Sequence, residues 1–256
     1  MTTESNSRTE KIYVLYASQT GNSEQAAIEL CSQVPTKLSP SVIQKLTGTK
    51  DEIIVEPVHM QLDDFLELDK CTWTRLMVII TSSYGVGQAP LGGYRYRDLC
   101  DAWYKQFQDK SGGETPKKVL EGLSFAMCGL GDSKYTTYFQ NPTRINEAMH
   151  LVGAKRVGPL GKADASGTGN ELQGKVVEAW MKEIWSHLAK VVVEPPLSDE
   201  RLKEMQMDTV QVCRKINPDF EYDDGSSSGS GNTMMIALAI LVALVAVLYY
   251  LYMNQN

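Results

Sequence analysis

The chain has 256 residues, of which 43% are hydrophobic and 22% are charged, a composition that excludes wholesale disorder. Its net charge of −6 disfavours nucleic acid as a partner. The five cysteines are dispersed and form no CxxC pair, so they indicate a reducing compartment rather than a disulfide framework or a zinc site. The three histidines are equally scattered and give a metal site no support.

The polar N-terminus contains no apolar stretch. A secretory signal peptide needs such a stretch, so we expect none here. Residues 1–10 are instead predicted to be disordered.

Short apolar runs alternate with helical stretches between residues 11 and 190. Several of these runs are apolar on both faces, which is typical of parallel strands covered by helices. The runs predicted as strands are 11–16, 52–58, 75–80, 123–130 and 154–161. Helices are predicted at 23–34, 91–108, 142–152 and 170–190. These alternating units predict an α/β fold with a doubly wound, five-stranded parallel sheet.

The loop after the first predicted strand reads ASQTGNS over residues 17–23. It offers hydroxyls, amides and backbone N–H groups at the start of a helix, which together form an anion-binding cradle. The loop has no lysine and so differs from the GxxxxGK[ST] loop of nucleoside triphosphatases. A phosphate monoester fits it better, while an ordinary helix N-cap is the alternative reading.

The loop after the third predicted strand reads TSSYGVGQAP over residues 81–90. Gly85 and Gly87 permit a positive φ and a close backbone approach to a flat ligand, and Tyr84 is placed to cover one face of it. The third glycine of GxGxxG is missing, which excludes a dinucleotide fingerprint here.

The loop after the fourth predicted strand reads GLGDSKYTTYF over residues 129–139 and again pairs glycines with aromatic residues. An alternative is that its aromatic residues belong to the core, and for Phe139 we favour that alternative. Ligands of open α/β sheets bind at the carboxyl ends of the strands. The three loops therefore predict one binding cleft.

The C-terminal part divides into a linker and an apolar segment. Residues 191–232 are predicted to be a linker, with a short amphipathic helix over 198–216 that has Ser198 as its N-cap. Residues 233–253 are almost entirely apolar and uncharged, and a helix of this length spans ~30 Å, the thickness of a bilayer core. We therefore predict a transmembrane helix, followed by a short tail over 254–256.

The motifs ASQTGNS, SSYGVGQAP and FAMCGLGDSKYTTYF, followed by LVGAKRVGPLGKAD and AWMKEIW, resemble the flavodoxin-like FMN domain of the diflavin reductases. The resemblance covers roughly residues 11–190. It implies FMN as the cofactor and a sheet order of 2-1-3-4-5, in which the first, third and fourth strands are neighbours.

The resemblance also implies a role for individual residues. The FMN phosphate would be bound by Ser18, Gln19, Thr20, Gly21 and Asn22. Tyr84 and Tyr135 match the two aromatic residues that enclose the isoalloxazine ring, and Gly85 matches the glycine whose backbone turns toward flavin N5. The remaining site residues implied are Ser83 and Gly87 in the second loop, Leu130, Gly131 and Asp132 at the ring edge, and Tyr138 on the ribityl side.

Two features depart from the family pattern. Gln88 stands where family members often carry an acidic residue. The segment LGKADASGTGN is longer and less acidic than usual, and Asp164 is the nearest match to the acidic site residue expected there. Both departures concern the surface that faces a partner more than they concern flavin binding.

The predicted function is that of a membrane-anchored FMN protein that passes electrons from a separate FAD- and NADPH-type reductase to a membrane-associated acceptor. The apolar segment near the C-terminus predicts a tail-anchored protein whose domain faces the cytosol. No basic residues flank that segment, which favours the endoplasmic reticulum over the mitochondrial outer membrane. The alternatives are an FMN-dependent NAD(P)H:quinone reductase of flavodoxin fold and an adaptor that has lost its flavin.

Overall fold

The computed structural model describes residues 7–67, 70–108 and 117–218. The predicted transmembrane helix 233–253, the tail 254–256, residues 219–232 of the predicted linker and residues 1–6 lie outside this part of the chain. Within the described residues, no helix combines the length and the apolarity needed to cross a bilayer.

A parallel sheet forms the centre of the fold. Its strands are β1 (Ser7–Ala17), β2 (Glu52–Gln61), β3 (Leu76–Ser82), β4 (Ser124–Gly131), β5 (Lys155–Arg156) and β6 (Gly161–Asp164). The order along the sheet is β2-β1-β3-β4-β5, and β6 also pairs with β4. The predicted order 2-1-3-4-5 is therefore confirmed. As expected, β3 lies between β1 and β4.

The first strand begins at Ser7, so the prediction of disorder is wrong for residues 7–10. These residues pair in register with β2, starting with Ser7 opposite Glu52. Their side chains alternate between exposed and half-buried, so this part of the strand is stabilised by its backbone pairing. Because these residues are polar, they show no apolar run, and the sequence did not predict that they form part of the strand.

The predicted fifth strand at 154–161 is wrong as a single element. It consists of two short strands, and β5 pairs with the beginning of β4 while β6 pairs with its end. Gly158, with a φ of +71°, and Pro159 lie between them and interrupt the extended conformation. The second of these strands leads directly to the cleft.

Helices cover both faces of the sheet. They are α1 (Asn22–Lys37), α2 (Pro40–Thr47), α3 (Tyr94–Gln108), α4 (Gln140–Leu151), α5 (Gln173–Val192) and α6 (Asp199–Ile216). Alternate residues of β1 face opposite sides, so that Ile12 belongs to the core beneath α1, α2 and α5, and Tyr13 to the core beneath α3, α4 and α6. Sequence reasoning missed α2.

The amphipathic helix predicted within 198–216 is confirmed as α6, but its surroundings are not those of a linker. Met205, Val210 and Cys213 are buried, and Gln206 donates a hydrogen bond of 2.9 Å to the Cys71 carbonyl. At its start, the Ser198 hydroxyl accepts from the Arg201 N–H, as an N-cap does. The folded domain therefore extends to the end of α6, because this helix buries an apolar stripe against the sheet side that carries α3.

Candidate functional site

The loops that follow β1, β3 and β4 enclose a cleft of about 310 Å³. They meet there because these strands are neighbours and all end at the same edge of the sheet. A fourth segment, which sequence reasoning placed near the site only through Asp164, contributes Ala165 and Gln173. The volume is at the lower end of the range found for small-molecule sites.

The structure brings most of the predicted site residues together on the wall of this cleft. Those on the wall are Gln19, Thr20, Asn22, Ser83, Tyr84, Gly85, Leu130, Gly131, Asp132, Tyr135 and Tyr138. Ser18, Gly21, Gly87 and Asp164 are not part of the wall. Each of these four supports the loops instead.

The first loop is shaped by the two residues that do not reach the cleft. Gly21 has a φ of +88°, a left-handed conformation that favours glycine, and it turns the chain into α1. The Ser18 N–H donates to the Leu91 carbonyl at 3.1 Å, so this amide joins the first loop to the turn before α3. The Ser18 N–H is therefore used within the protein, and the phosphate-binding role expected of Ser18 stays a prediction.

Ser23 is a wall residue that sequence reasoning missed. Its side chain is buried, with 1% exposed, and its hydroxyl has no hydrogen-bond partner among the described residues. A buried polar group without a partner costs roughly 1–3 kcal/mol, and a phosphate oxygen bound in the cradle would satisfy it. Its position at the end of ASQTGNS was the available signal.

The two candidate stacking residues lie open to solvent. Tyr84 is 48% exposed and Tyr135 is 63% exposed, although both are large aromatic residues on the cleft wall. Exposed aromatic side chains that face a cleft indicate a binding surface, because their apolar rings lack a partner within the protein. A flat aromatic ligand would supply one.

The second loop is closed by its own backbone. The N–H groups of Tyr84 and Gln88 each donate to the other residue's carbonyl, at 3.0 and 2.9 Å. Gly85 and Gly87 have φ angles of +53° and +89°, so the tight turn requires glycine at both positions. The Gly87 carbonyl accepts from Arg97 at 3.2 Å, which anchors the loop to α3.

Asn141 is a second residue that sequence reasoning missed. It is fully buried, and its side-chain amide donates to the Ser82 carbonyl at 2.9 Å and to the Thr81 hydroxyl at 3.3 Å. Its backbone N–H donates to the Ser83 hydroxyl at 3.1 Å. Asn141 thus ties the end of β3 to the start of α4, and nothing in the local sequence distinguishes it from a surface residue of that helix.

Two carboxylates hold the third loop against the segment after β6. One oxygen of Asp164 accepts from the backbone N–H groups of Ser133 and Ser166, both at 2.9 Å, and the Ser166 hydroxyl donates to Asp132. The hydrogen bond from Ser166 lowers the pKa of Asp132, and hydrogen bonds from Ser133 lower the pKa of Asp164. Both groups are therefore ionised at neutral pH and place negative charge at this edge of the sheet.

The residues present fit FMN. A lysine-free loop of hydroxyls and amides with a buried, unpaired serine suits a phosphate monoester, and it lies at the start of α1, where the helix dipole favours an anion. Tyr84 and Tyr135 offer apolar rings to the isoalloxazine. Fold and site together define a doubly wound α/β domain of the kind that binds a flavin mononucleotide.

The flavodoxin family model matches residues 14–180, and the chain belongs to that family. FMN is its cofactor. The chain is 27% identical over 70% of its length to human methionine synthase reductase and 23% identical over 70% to NADPH–cytochrome P450 reductase from Aspergillus oryzae. It spans 22% and 23% of the lengths of these two relatives.

Among solved structures, a cysteine-to-serine mutant of flavodoxin from Pseudomonas aeruginosa matches 72% of this chain and 99% of its own, with 20% identity and a TM-score of 0.47. Oxidised flavodoxin 1 from Bacillus cereus matches 74% of this chain and 100% of its own, with 18% identity and a TM-score of 0.41.

Proposed function

We propose that this protein is a membrane-anchored electron carrier. It receives electrons from a separate reductase of the FAD- and NADPH-dependent type and passes them to a membrane-associated acceptor. The observation that carries the proposal is the open cleft at the sheet edge, on whose wall two tyrosines are 48% and 63% exposed.

The chain's own residues would bind FMN through its phosphate and its ring. The hydroxyls of Thr20 and Ser23 and the amide of Asn22 would donate to the phosphate, which the N-terminal end of α1 would also favour. No lysine lies in this loop, so hydrogen bonds and the helix dipole together hold the charge. FMN supplies the redox chemistry, and the protein supplies position and electrostatics.

The exposed tyrosines favour electron transfer over hydride transfer. Tyr84 and Tyr135 would cover the two faces of the isoalloxazine and so leave neither face open for a nicotinamide to stack on it. Because both tyrosines are themselves well exposed, a ring between them would be reached from the surface. A partner that docks at this edge exchanges electrons without entering the cleft.

The relatives and the sequence support the nature of the partners. Two relatives are named as reductases, and one of them carries NADPH in its name, which supports an NADPH-dependent donor. The uncharged apolar segment 233–253 supports an anchor in a membrane. We propose that the domain faces the cytosol from the endoplasmic reticulum.

The carrier role is tested with the full chain in detergent, loaded with FMN. NADPH alone should leave the yellow flavin absorbance unchanged over minutes, whereas NADPH with a catalytic amount of an FAD-containing reductase should bleach it. Rapid reduction of an added quinone by NADPH without the reductase would show an enzyme in its own right. A colourless protein that does not take up added FMN would instead support an adaptor that has lost its flavin.

The membrane anchor is tested separately by flotation with phospholipid vesicles. The full chain should float with the vesicles, and a matched chain that ends at Tyr222 should stay in solution. Equal behaviour of the two chains would contradict the anchor. Microscopy of the full chain with an N-terminal fluorescent tag then distinguishes the endoplasmic reticulum from mitochondria.

A further inference from the structure

One hydrogen bond joins the two loops that carry the stacking tyrosines. The Thr137 hydroxyl donates to the Gly85 carbonyl at 3.1 Å. Thr137 belongs to the loop after β4 and Gly85 to the loop after β3, and both lie on the cleft wall. The bond is therefore a connection across the site itself.

The Gly85 carbonyl is restrained less than the rest of its loop. Tyr84 and Gln88 are paired through both of their backbone groups, and the Gly87 carbonyl is held by Arg97. The Val86 side chain is 74% exposed, so packing does little to restrain the Gly85–Val86 peptide. Its orientation thus depends on Thr137, and a glycine at position 85 leaves the peptide able to rotate.

We infer that Thr137 is a positioning residue that lowers the first one-electron potential of bound FMN. Flavin N5 accepts hydrogen bonds when the ring is oxidised and carries an N–H donor only after reduction. A wall carbonyl that can turn toward N5 therefore favours reduced flavin alone. The Thr137 hydroxyl holds the Gly85 carbonyl toward the neighbouring loop and so opposes that turn.

This inference rests on FMN binding and is independent of the membrane anchor. It is tested with Thr137→Val, which keeps the shape of the side chain and removes its hydroxyl, and with Thr137→Ser, which keeps the hydroxyl. Thr136→Val is the matched control, because Thr136 is an exposed neighbour that is not part of the cleft wall. Thr137→Ala provides a second variant without a hydroxyl.

The readout is the pair of one-electron potentials of FMN bound to the full chain, measured by spectroelectrochemical titration, together with the dissociation constant of oxidised FMN. Thr137→Val should favour uptake of the first electron about fivefold, the size of one net hydrogen bond. This corresponds to ~40 mV in the positive direction at ~59 mV per tenfold. Thr137→Ser and Thr136→Val should match the unmodified chain, and the affinity for oxidised FMN should change less than about twofold.

Backbone relaxation measured by NMR on the FMN-free chain gives a second readout. Thr137→Val should increase the motion of the Val86 amide, which belongs to the same peptide as the Gly85 carbonyl, and Thr137→Ser should not. Unchanged potentials in both hydroxyl-free variants, or an equal shift in Thr137→Ser, would overturn the inference while FMN binding stands. Failure of the unmodified chain to bind FMN would instead overturn the cofactor assignment.

Discussion

The two ends of the sheet differ in what their polar and aromatic side chains contact. At the amino end, the guanidinium groups of Arg8 and Arg75 donate to backbone carbonyls at the end of α5 and in the turn that follows it, at Val192, Glu194 and Pro195. Arg75 also forms an ion pair with the Glu194 side chain. At the carboxyl end, the Ser23 hydroxyl is buried without a partner in the described part of the chain, and two tyrosines lie exposed.

This difference separates stability from function. The amino end is closed by the protein's own side chains, which hold the turn between α5 and α6 in place. The carboxyl end leaves a hydroxyl and two aromatic rings for a ligand to satisfy. Residues of the first end should therefore affect unfolding without affecting FMN, and residues of the second end should do the reverse.

The largest expected effect is that of Arg75→Ala on the free energy of unfolding. This change removes hydrogen bonds from a guanidinium that is 8% exposed and leaves its carbonyl and carboxylate partners without their donor. We expect a loss of about 2–3 kcal/mol in urea unfolding of the FMN-free chain, with FMN affinity changed less than about twofold. Lys182→Ala, which removes a surface ion pair with Glu178, should cost less than about 0.5 kcal/mol.

Ser23→Ala should have the next largest effect. It should lower the affinity for FMN without lowering the free energy of unfolding. Hydrogen bonds to a charged group contribute ~1.5–3 kcal/mol, so we expect FMN affinity to fall by roughly tenfold or more in fluorescence titration. The FMN-free chain should be as stable as before or slightly more stable, because an unpaired buried hydroxyl is removed.

Thr209→Val is the matched control for Ser23→Ala. The Thr209 hydroxyl is also buried without a partner among the described residues, but it lies on α6, away from the cleft wall. Its removal should leave FMN affinity unchanged. A loss of affinity in this variant equal to that in Ser23→Ala would show that the unpaired hydroxyl at the cleft has no special role.

Tyr135→Ala should weaken FMN binding by a smaller factor. An aromatic pair contributes ~0.5–1.5 kcal/mol beyond the area it buries, which predicts roughly a twofold to twelvefold loss of affinity and altered one-electron potentials. Tyr94→Ala is the control, because Tyr94 is 48% exposed and is not part of the cleft wall. Unchanged affinity and an unchanged flavin spectrum in Tyr135→Ala would remove this residue from the site.

The smallest expected effect is a pH dependence that comes from the third loop. The Ser166 hydroxyl lowers the pKa of Asp132 below its ordinary value of 3.8, so the stability this bond adds is fully present above that pH. It is lost as the pH falls through the lower pKa of the folded state. The difference in unfolding free energy between the unmodified chain and Ser166→Ala should therefore be constant at neutral pH and shrink as the pH falls below about 4. A difference that stays constant would contradict this account.

Much of the fold could be read from the sequence where a local pattern carries the signal. Runs that are apolar on both faces predicted the main strands. The three glycine-containing loops predicted the binding cleft that these loops enclose. The parts that were missed had weaker patterns: α2 is a helix of 8 residues, and the beginning of β1, residues 7–10, is polar. Pro40 at the start of α2 and Gly48 after its end were the available signals.

The sequence by itself determined which loops carry the chemistry, because helix starts, glycine turns and aromatic residues act through local conformation. Only the tertiary structure decided which groups in those loops are free. The Ser23 hydroxyl is buried at the cleft and has no partner within residues 7–67, 70–108 and 117–218. The Ser18 N–H, by contrast, donates to the Leu91 carbonyl, and the Thr137 hydroxyl donates to the Gly85 carbonyl. These partners are far apart in the chain, and hydrogen bonding between them depends on the packing of separate strands and helices.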